Sequence, residues 1–394
     1  MKVKQATSDF IVREMAQPLL APHGIYAIYQ LAKTGIGTIE AINLITRSWP
    51  VRQMNISAGG LKDKHAQTEQ LISIYQGPRK DFQGRLFNVK YLGQSERPIR
   101  PDSFKANHFT ICLRDLNQVE TEKIQHRLKD VEKYGLLNYF DEQRFGSVRG
   151  GHEFIAKQLI RRDFEGALKN ALTATSKEDR RAVKEIRMII RQHWGDWLKC
   201  MQLLPRSSER SIINYLKDHP TAFSRAFELL NQNLVLLYLH AYQSYLWNKA
   251  LGSFMCKQES SYFNETTHNQ IIKIPYLLGE FIFYHTLSQE ELSRLKKLSI
   301  PFITHKTIFS EKETEDIYNR LLQEEGIALT DFRIRGMKKT YFRKGERAVV
   351  IFPENLLIKN IGPDDLNRGK LKLTMEFALP RGSYATILIK RLSA

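Results

Sequence analysis

"TAFSRAFELLNQNLVLLYLHAYQSYLWNKALGSF", residues 221–254, carries apolar residues at helical spacing over its whole length. Its most apolar part, 229–247, is long enough to raise the question of a membrane span. Asn231, Gln232, Asn233, His240 and Gln243 interrupt it, so it reads as a buried core helix. Upstream, "GHEFIAKQLIRRDFEGALKNAL" (151–172) and "KEDRRAVKEIRMIIRQHW" (177–194) show the same period. Only "NQIIKIP" (269–275) and "EFIFYH" (280–285) read as strands between about 152 and 330. The middle of the chain is therefore mainly helical.

The flanks have a different texture. "DFIVREM" (9–15), "GIYAIYQLAK" (24–33), "EQLISIYQG" (69–77), "LFNVKYLG" (86–93) and "NHFTICLRDL" (107–116) read as strands. "TIEAINLITRSW" (38–49) reads as a helix, and so does "QVETEKIQHRLKDVEKYG" (118–135), with Gly135 as its cap. After Asp331, "RAVVIFP" (347–353) and "KLKLTMEFALP" (370–380) are rich in β-formers, and "RGSYATILIKRL" (381–392) is a turn entering a helix. Strand-rich ends around a helical middle predict an α+β core built from both termini and interrupted by an insertion. The expected parts are 1–151 and 339–394 for the core and 152–338 for the insertion. A length of 394 residues fits this division into two domains.

Sixty Lys+Arg against 42 Asp+Glu give a net charge of +18, which points to a polyanionic partner, most simply nucleic acid. The N-terminus has no apolar segment of signal-peptide type, so a soluble, cytoplasmic protein is expected, or a nuclear one in a eukaryote. Cys112, Cys200 and Cys256 lie far apart, with no zinc spacing, and Cys112 reads as core. There is no phosphate loop, dinucleotide fingerprint, HExxH or GxSxG. "RGGHEF" (149–154) reads as a turn, and histidines such as His65 and His152 form no metal-spaced cluster. No metal and no cofactor are expected.

Three stretches carry chemistry. "AGGLKDKHAQTEQ" (58–70) sets Asp63 between Lys62 and Lys64 behind two glycines. Flanking cations favour the ionised carboxylate, and such a group serves as nucleophile or base toward an anionic substrate. On these local residues alone, a solvated turn with self-cancelling charges is the better reading, because such surface patterns are common. "NYFDEQRFG" (138–146) combines aromatic rings with Asn138, Gln143 and Arg144, the side-chain types that stack, read and grip an unstacked base. A core-packed corner is the other reading. "RIRGMKKTYFRKGER" (333–347) carries Arg333, Arg335, Lys338, Lys339, Arg343, Lys344 and Arg347 against Glu346 alone, as a phosphate-tracking segment would.

Taken together, these motifs resemble the TruD-type pseudouridine synthases, whose best-known members isomerise uridine 13 of tRNA. "KQATSDFIVRE" resembles the family's opening at Lys4, Asp9, Phe10, Val12 and Glu14, and "AGGLKDKHAQTEQ" its AGxKDKxAxTxQ signature with one extra residue. "NYFDEQRFG", "AYQSYLWNKAL" and "LPRGSYATILIKRL" follow in family order. The resemblance implies a pseudouridine-synthase core interrupted by a helical TruD insertion, with Asp63 as catalytic aspartate and Lys4 as its partner. It also implies Phe10, Glu14, Asn138, Phe140 and Tyr384 as substrate-binding residues. Asp141 replaces the usual Gly and Tyr384 the usual Phe. The expected partner is tRNA, bound by a monomer with no membrane or metal involvement. A synthase acting on another RNA site, and a catalytically silent RNA-binding protein, are the alternatives.

Overall fold

The computed structural model of the chain describes residues 1–148, 153–176, 179–261, 271–337 and 339–394, apart from the side chains of 147 and 257–261. The chain divides into two compact units, 1–137 with 350–394, and 138–349. By compactness the divisions thus fall earlier than 151/152 and later than 338/339. The reason lies in local pairing. Leu136–Leu137 and Val350–Ile351 form a short antiparallel pair, so the chain leaves and re-enters the first unit at one place. Gly135 brings it there: its φ of 80° and the Val350 side chain, 2.5 Å from where a Cβ would stand, leave room only for glycine.

In the first unit, ten strands among the described residues form one sheet. The order along it is Glu354–Pro363, Leu371–Pro380, Ala106–Leu116, Phe10–Met15, Gln67–Tyr75, Tyr26–Thr34, Phe87–Ser95, Phe82–Gln83. Pairing is antiparallel except between Phe10–Met15 and Gln67–Tyr75, where Ile11, Val12 and Arg13 oppose Gln67, Thr68 and Glu69 in parallel. Lys2–Val3 and Ile56–Ala58 add to the flanks of the Ala106–Leu116 and Gln67–Tyr75 strands. Both chain ends therefore build the sheet, as the strand-rich flanks predict. Alternation along Tyr26–Thr34 sends Ala27, Tyr29 and Leu31 to one face beside Ile72 and Ile74 of the neighbouring strand, and Ala41 and Ile45 of the helix Thr38–Ser48 pack there with Trp49. The helix Gln118–Tyr134 starts on a reciprocal cap, Asn117 Oδ1 accepting from Glu120 N and Glu120 Oε2 from Asn117 N, each at 2.8 Å.

The second unit is mainly helical, with the helix Gln232–Ser261 at its centre. Its start at Gln232, rather than near 221, follows from Asn231, whose side chain accepts from Asn233 N at 2.9 Å and caps a new helix after Phe223–Phe227. Residues 153–172 likewise split into Ile155–Ile160 and Phe164–Thr173, because Arg162 is left-handed at φ 63° and Asp163 caps Gly166 N. The polar residues of the central helix find partners inside the unit. Gln243 donates to the carbonyls of Ile303 and Arg343, Trp247 to that of Ile300, and Tyr242 and Tyr245 to Glu325. The two strands expected here, Ile272–Tyr276 and Gly279–Phe283, pair as an antiparallel hairpin. No helix among the described residues is long and apolar enough to cross a membrane.

Candidate active site

Asp63 sits in the loop between the strands Ile56–Ala58 and Gln67–Tyr75. Lys4 Nζ donates to Asp63 Oδ2 at 2.5 Å. The Lys4 backbone is left-handed, φ 60°, and its ammonium lies 4.1 Å from the centre of the Phe10 ring. A cation over an aromatic face is an attractive contact, so the ring holds Lys4 in place. Phe10 itself is 3% exposed, between the Lys4 ammonium and the Phe109 ring. Lys4 thus covers part of the Phe10 ring.

The flanking lysines turn away from Asp63. Lys62 Nζ pairs with Glu14 Oε1 at 2.9 Å and donates to Asn107 Oδ1 at 2.8 Å, while Lys64 Nζ meets Glu40 Oε2 at 3.3 Å. Glu14 keeps only 1% of its side-chain surface, and its Oε2 accepts from Leu71 N at 2.9 Å. It anchors Lys62. Thr38 Oγ1 accepts from Lys62 N at 2.9 Å and donates to Gln70 Oε1, whose amide reaches the Gly60 carbonyl at 3.0 Å. The loop is therefore tied to the sheet and to the first turn of the helix Thr38–Ser48. Neither Gly59 nor Gly60 has a positive φ. Gly59 lies against the Phe104 ring, which a Cβ would approach to 2.8 Å, and Gly60 faces open space.

A wider network fixes the segment that carries Lys4. Arg114, buried in the strand Ala106–Leu116, donates to Asp9, Asp364 and Asp365, each at 2.8 Å. Asp9 also accepts from Ala6 N at 2.7 Å, which closes the turn between Lys4 and Phe10. Burial alone would raise the Asp364 carboxyl. The amides of Asp115 and Leu366, the Asn367 side chain and Arg114 outweigh it and hold that group well below the usual carboxylate range. Within this frame the Asp63 carboxylate keeps 35% of its side-chain surface open, against 17% for Lys4 and 8% for Lys62. It is an accessible anion on a fixed backbone, oriented by one ammonium. Tyr384, half-buried, follows the turn at Gly382 (φ 82°) and opens the helix Ala385–Ser393.

Asn138 and Phe140 belong to the second unit. Arg347 Nε and Nη2 donate to the Asn138 backbone carbonyl and to Oδ1, both at 2.6 Å, and Asn138 Nδ2 donates to the Ala348 carbonyl at 3.1 Å. The Arg347 guanidinium stacks on the Phe140 ring at 4.1 Å. Arg347 thus clamps Asn138 and Phe140. The amide of Asn248 bonds both the N–H and the carbonyl of Phe140, which fastens the 138–146 motif to the central helix. Asp141 is buried at the entry to the turn Glu142–Val148, not held out where a phosphate would meet it.

Along the basic segment, Phe332, Ile334, Met337, Thr340 and Phe342 are buried while Arg333, Arg335, Lys339, Arg343 and Lys344 are exposed. Apolar residues anchor it and cations face out, with Tyr341 exposed among them. Lys338 lies outside the described residues, as do 149–152 of the expected RGGHEF turn with His152. His305 is shifted down from the ordinary histidine value, by burial first and then by Lys306, Arg333 and Lys344, so the positive face extends to the 304–307 loop. Cys112, half-buried, lies in the strand Ala106–Leu116, where burial raises its thiol. Among the described residues no group of three or more His, Cys, Asp or Glu side chains is placed to hold a metal ion.

Motif reading of the sequence does not single out Lys33, Arg114 or Glu40, yet each takes part in these networks. The first two are charged residues inside otherwise apolar strands. That mismatch is a signal for buried pairing.

The family model of tRNA pseudouridine synthase D (TruD) matches residues 1–392. The chain is 32% identical over 401 residues to a Methanococcus maripaludis protein named as a probable tRNA pseudouridine synthase D 1, covering 99% of both. It is 30% identical to the tRNA pseudouridine synthase D of Aquifex aeolicus, over 100% of this chain and 98% of that one. The crystal structure of a Methanosarcina mazei TruD candidate superposes with a TM-score of 0.69 at 26% identity, over 99% of this chain and 93% of that one. With a family model matched over nearly its whole length, this chain belongs to the tRNA pseudouridine synthase D (TruD) family of isomerases.

Proposed function

We propose that the protein converts uridine 13 of tRNA to pseudouridine with Asp63 as the reacting carboxylate. The observation that carries this reading is the accessible Asp63 carboxylate, held by Lys4 on a loop tied down by Glu14, Lys62, Thr38 and Gln70. The reaction breaks the N1–C1′ bond and joins C5 to C1′, while C5 gives up a proton and N1 takes one. Atoms and electrons balance within the nucleoside, so no co-reactant is required. Asp63 acts at the ribose, either adding to C1′ or taking the C2′ proton. The target must leave its stack, at a cost of a few kcal/mol that binding of the rest of the tRNA offsets. Phe10 and Glu14 act through Lys4 and Lys62. Asn138 and Phe140, on their Arg347 clamp, and Tyr384 are assigned to substrate binding. The segment 152–338 assigned as the insertion lies within the mainly helical unit 138–349.

The direct test is site-resolved pseudouridine mapping on unmodified tRNA incubated with the purified chain. Modification at position 13 alone is expected; modification only of other RNA would overturn the assignment of substrate.

Lys4→Met removes the group that orients the carboxylate. The expected result is a kcat lower by about 10²-fold, as for misplaced catalytic groups generally, with tRNA affinity little changed. Unchanged kcat would remove Lys4 from the site. Changing Arg335, Lys339, Arg343 and Lys344 together to Ala should weaken tRNA binding and flatten its salt dependence. The slope of log K against log salt should fall by about 0.7–0.9 for each phosphate that is no longer neutralised. An unaltered slope would show that this face does not meet the RNA.

A further inference from the structure

We infer that Lys33 is a positioning residue for Asp63: its buried ammonium binds the backbone carbonyls on either side of the Lys62–Asp63 peptide junction and so sets where the carboxylate stands. This rests on the reading of Asp63 as the reacting group. Lys33 ends the apolar strand Tyr26–Thr34 and is 2% exposed. Its Nζ lies 2.8 Å from the Asp63 carbonyl, 3.3 Å from that of Lys62 and 2.8 Å from that of Ile36. An ammonium has three N–H donors, and three carbonyls from two loops converge on it. Burying a lysine is costly unless its charge is met by such acceptors, so the site is built for the ammonium. The charged groups that act on it are Asp63, which favours its charge, and Lys62, which opposes it; Lys4 lies beyond, on the Asp63 carboxylate. Burial pushes the Lys33 ammonium down to about 8, against the favourable charge of Asp63. A neutral amine would offer two N–H donors and turn a lone pair toward one of the three carbonyls, loosening the loop.

The test is Lys33→Met, which keeps the length and apolar stem and removes the donors. Expected is a kcat about 10- to 100-fold lower with tRNA affinity within a few-fold of wild type. A second readout separates positioning from general stability. The ratio of wild-type to variant kcat should shrink as pH rises from about 7 to about 9, because the wild-type advantage depends on the ammonium. Ionisation of the substrate cancels in that ratio. A variant with kcat within about threefold of wild type, or a ratio independent of pH, overturns the inference. Should the variant not fold, wild-type kcat alone decides: a flat profile over the same range overturns it. Full activity of Lys33→Met beside an inactive Asp63→Asn would sink this inference alone, whereas an active Asp63→Asn would sink the reading beneath it.

Discussion

Asp63→Asn should bind tRNA with near wild-type affinity and form no pseudouridine above background, a loss of at least about 10⁴-fold in turnover. That is the order seen when the reacting group of a site is removed and the binding surface left intact. The substitution is close to isosteric. Its loop stays fastened by Lys62 to Glu14 and Asn107, by Thr38 and by Gln70. Lys4 loses its anionic partner but keeps the Phe10 ring. The protein should therefore fold and bind, which makes the loss interpretable. The measurement is single-turnover pseudouridine formation beside a binding titration of the same tRNA. Turnover near the wild-type rate would exclude Asp63 as the reacting group, whichever ribose step is involved. Loss of binding along with activity would instead point to a disturbed loop.

Much of this arrangement is legible in the residues, and the gaps have physical causes. Periodicity identifies most of the long sheet strands and the central helix, because alternation and 3.6-residue spacing are set by burial on one face. The strand Glu354–Pro363 escapes it: the strand lies at the sheet edge, and most of its residues are exposed or half-exposed, so little apolar pattern is written there. Local charge reading also misjudges Lys62 and Lys64. Adjacent residues in a loop diverge, and what Asp63 meets is Lys4, distant in sequence and close in space. Phe10 and Glu14 are further cases: the sequence does not show that the one lies under the Lys4 ammonium or that the other is buried against Lys62. Arg347 is the sharpest case. Composition groups it with the exposed cations before it, yet its guanidinium lies on Phe140 and against Asn138.

Arg114→Met should destabilise the unit that holds the sheet by about 3–5 kcal/mol, the range for breaking a buried ion network by removing one partner. The arginine keeps 8% of its side-chain surface, and Asp9 and Asp364 keep 2% and none. Methionine fills much of the volume but leaves these carboxylates buried without their cation, which costs more than the missing attraction alone. The effect should be visible in denaturant unfolding followed by tryptophan fluorescence, through Trp49 of this unit's core. The sign with pH follows from the carboxylates. The folded state holds Asp364 below its ordinary value, so the network's contribution is fully present above the usual carboxylate range and is lost as pH falls through the lower, folded value. Wild type should lose stability on acidification below about pH 4, and the variant should lose somewhat less, since the Arg114 share is already gone while the amides of Asp115 and Leu366 and the Asn367 side chain still hold Asp364. Activity should fall with the fold in this variant, because Asp9 anchors the turn between Lys4 and Phe10. Stability within about 1 kcal/mol of wild type, or an unchanged acid profile, would show that Asp364 and Asp9 are held by their backbone amides alone and that Arg114 is not what ties the two chain ends to the site.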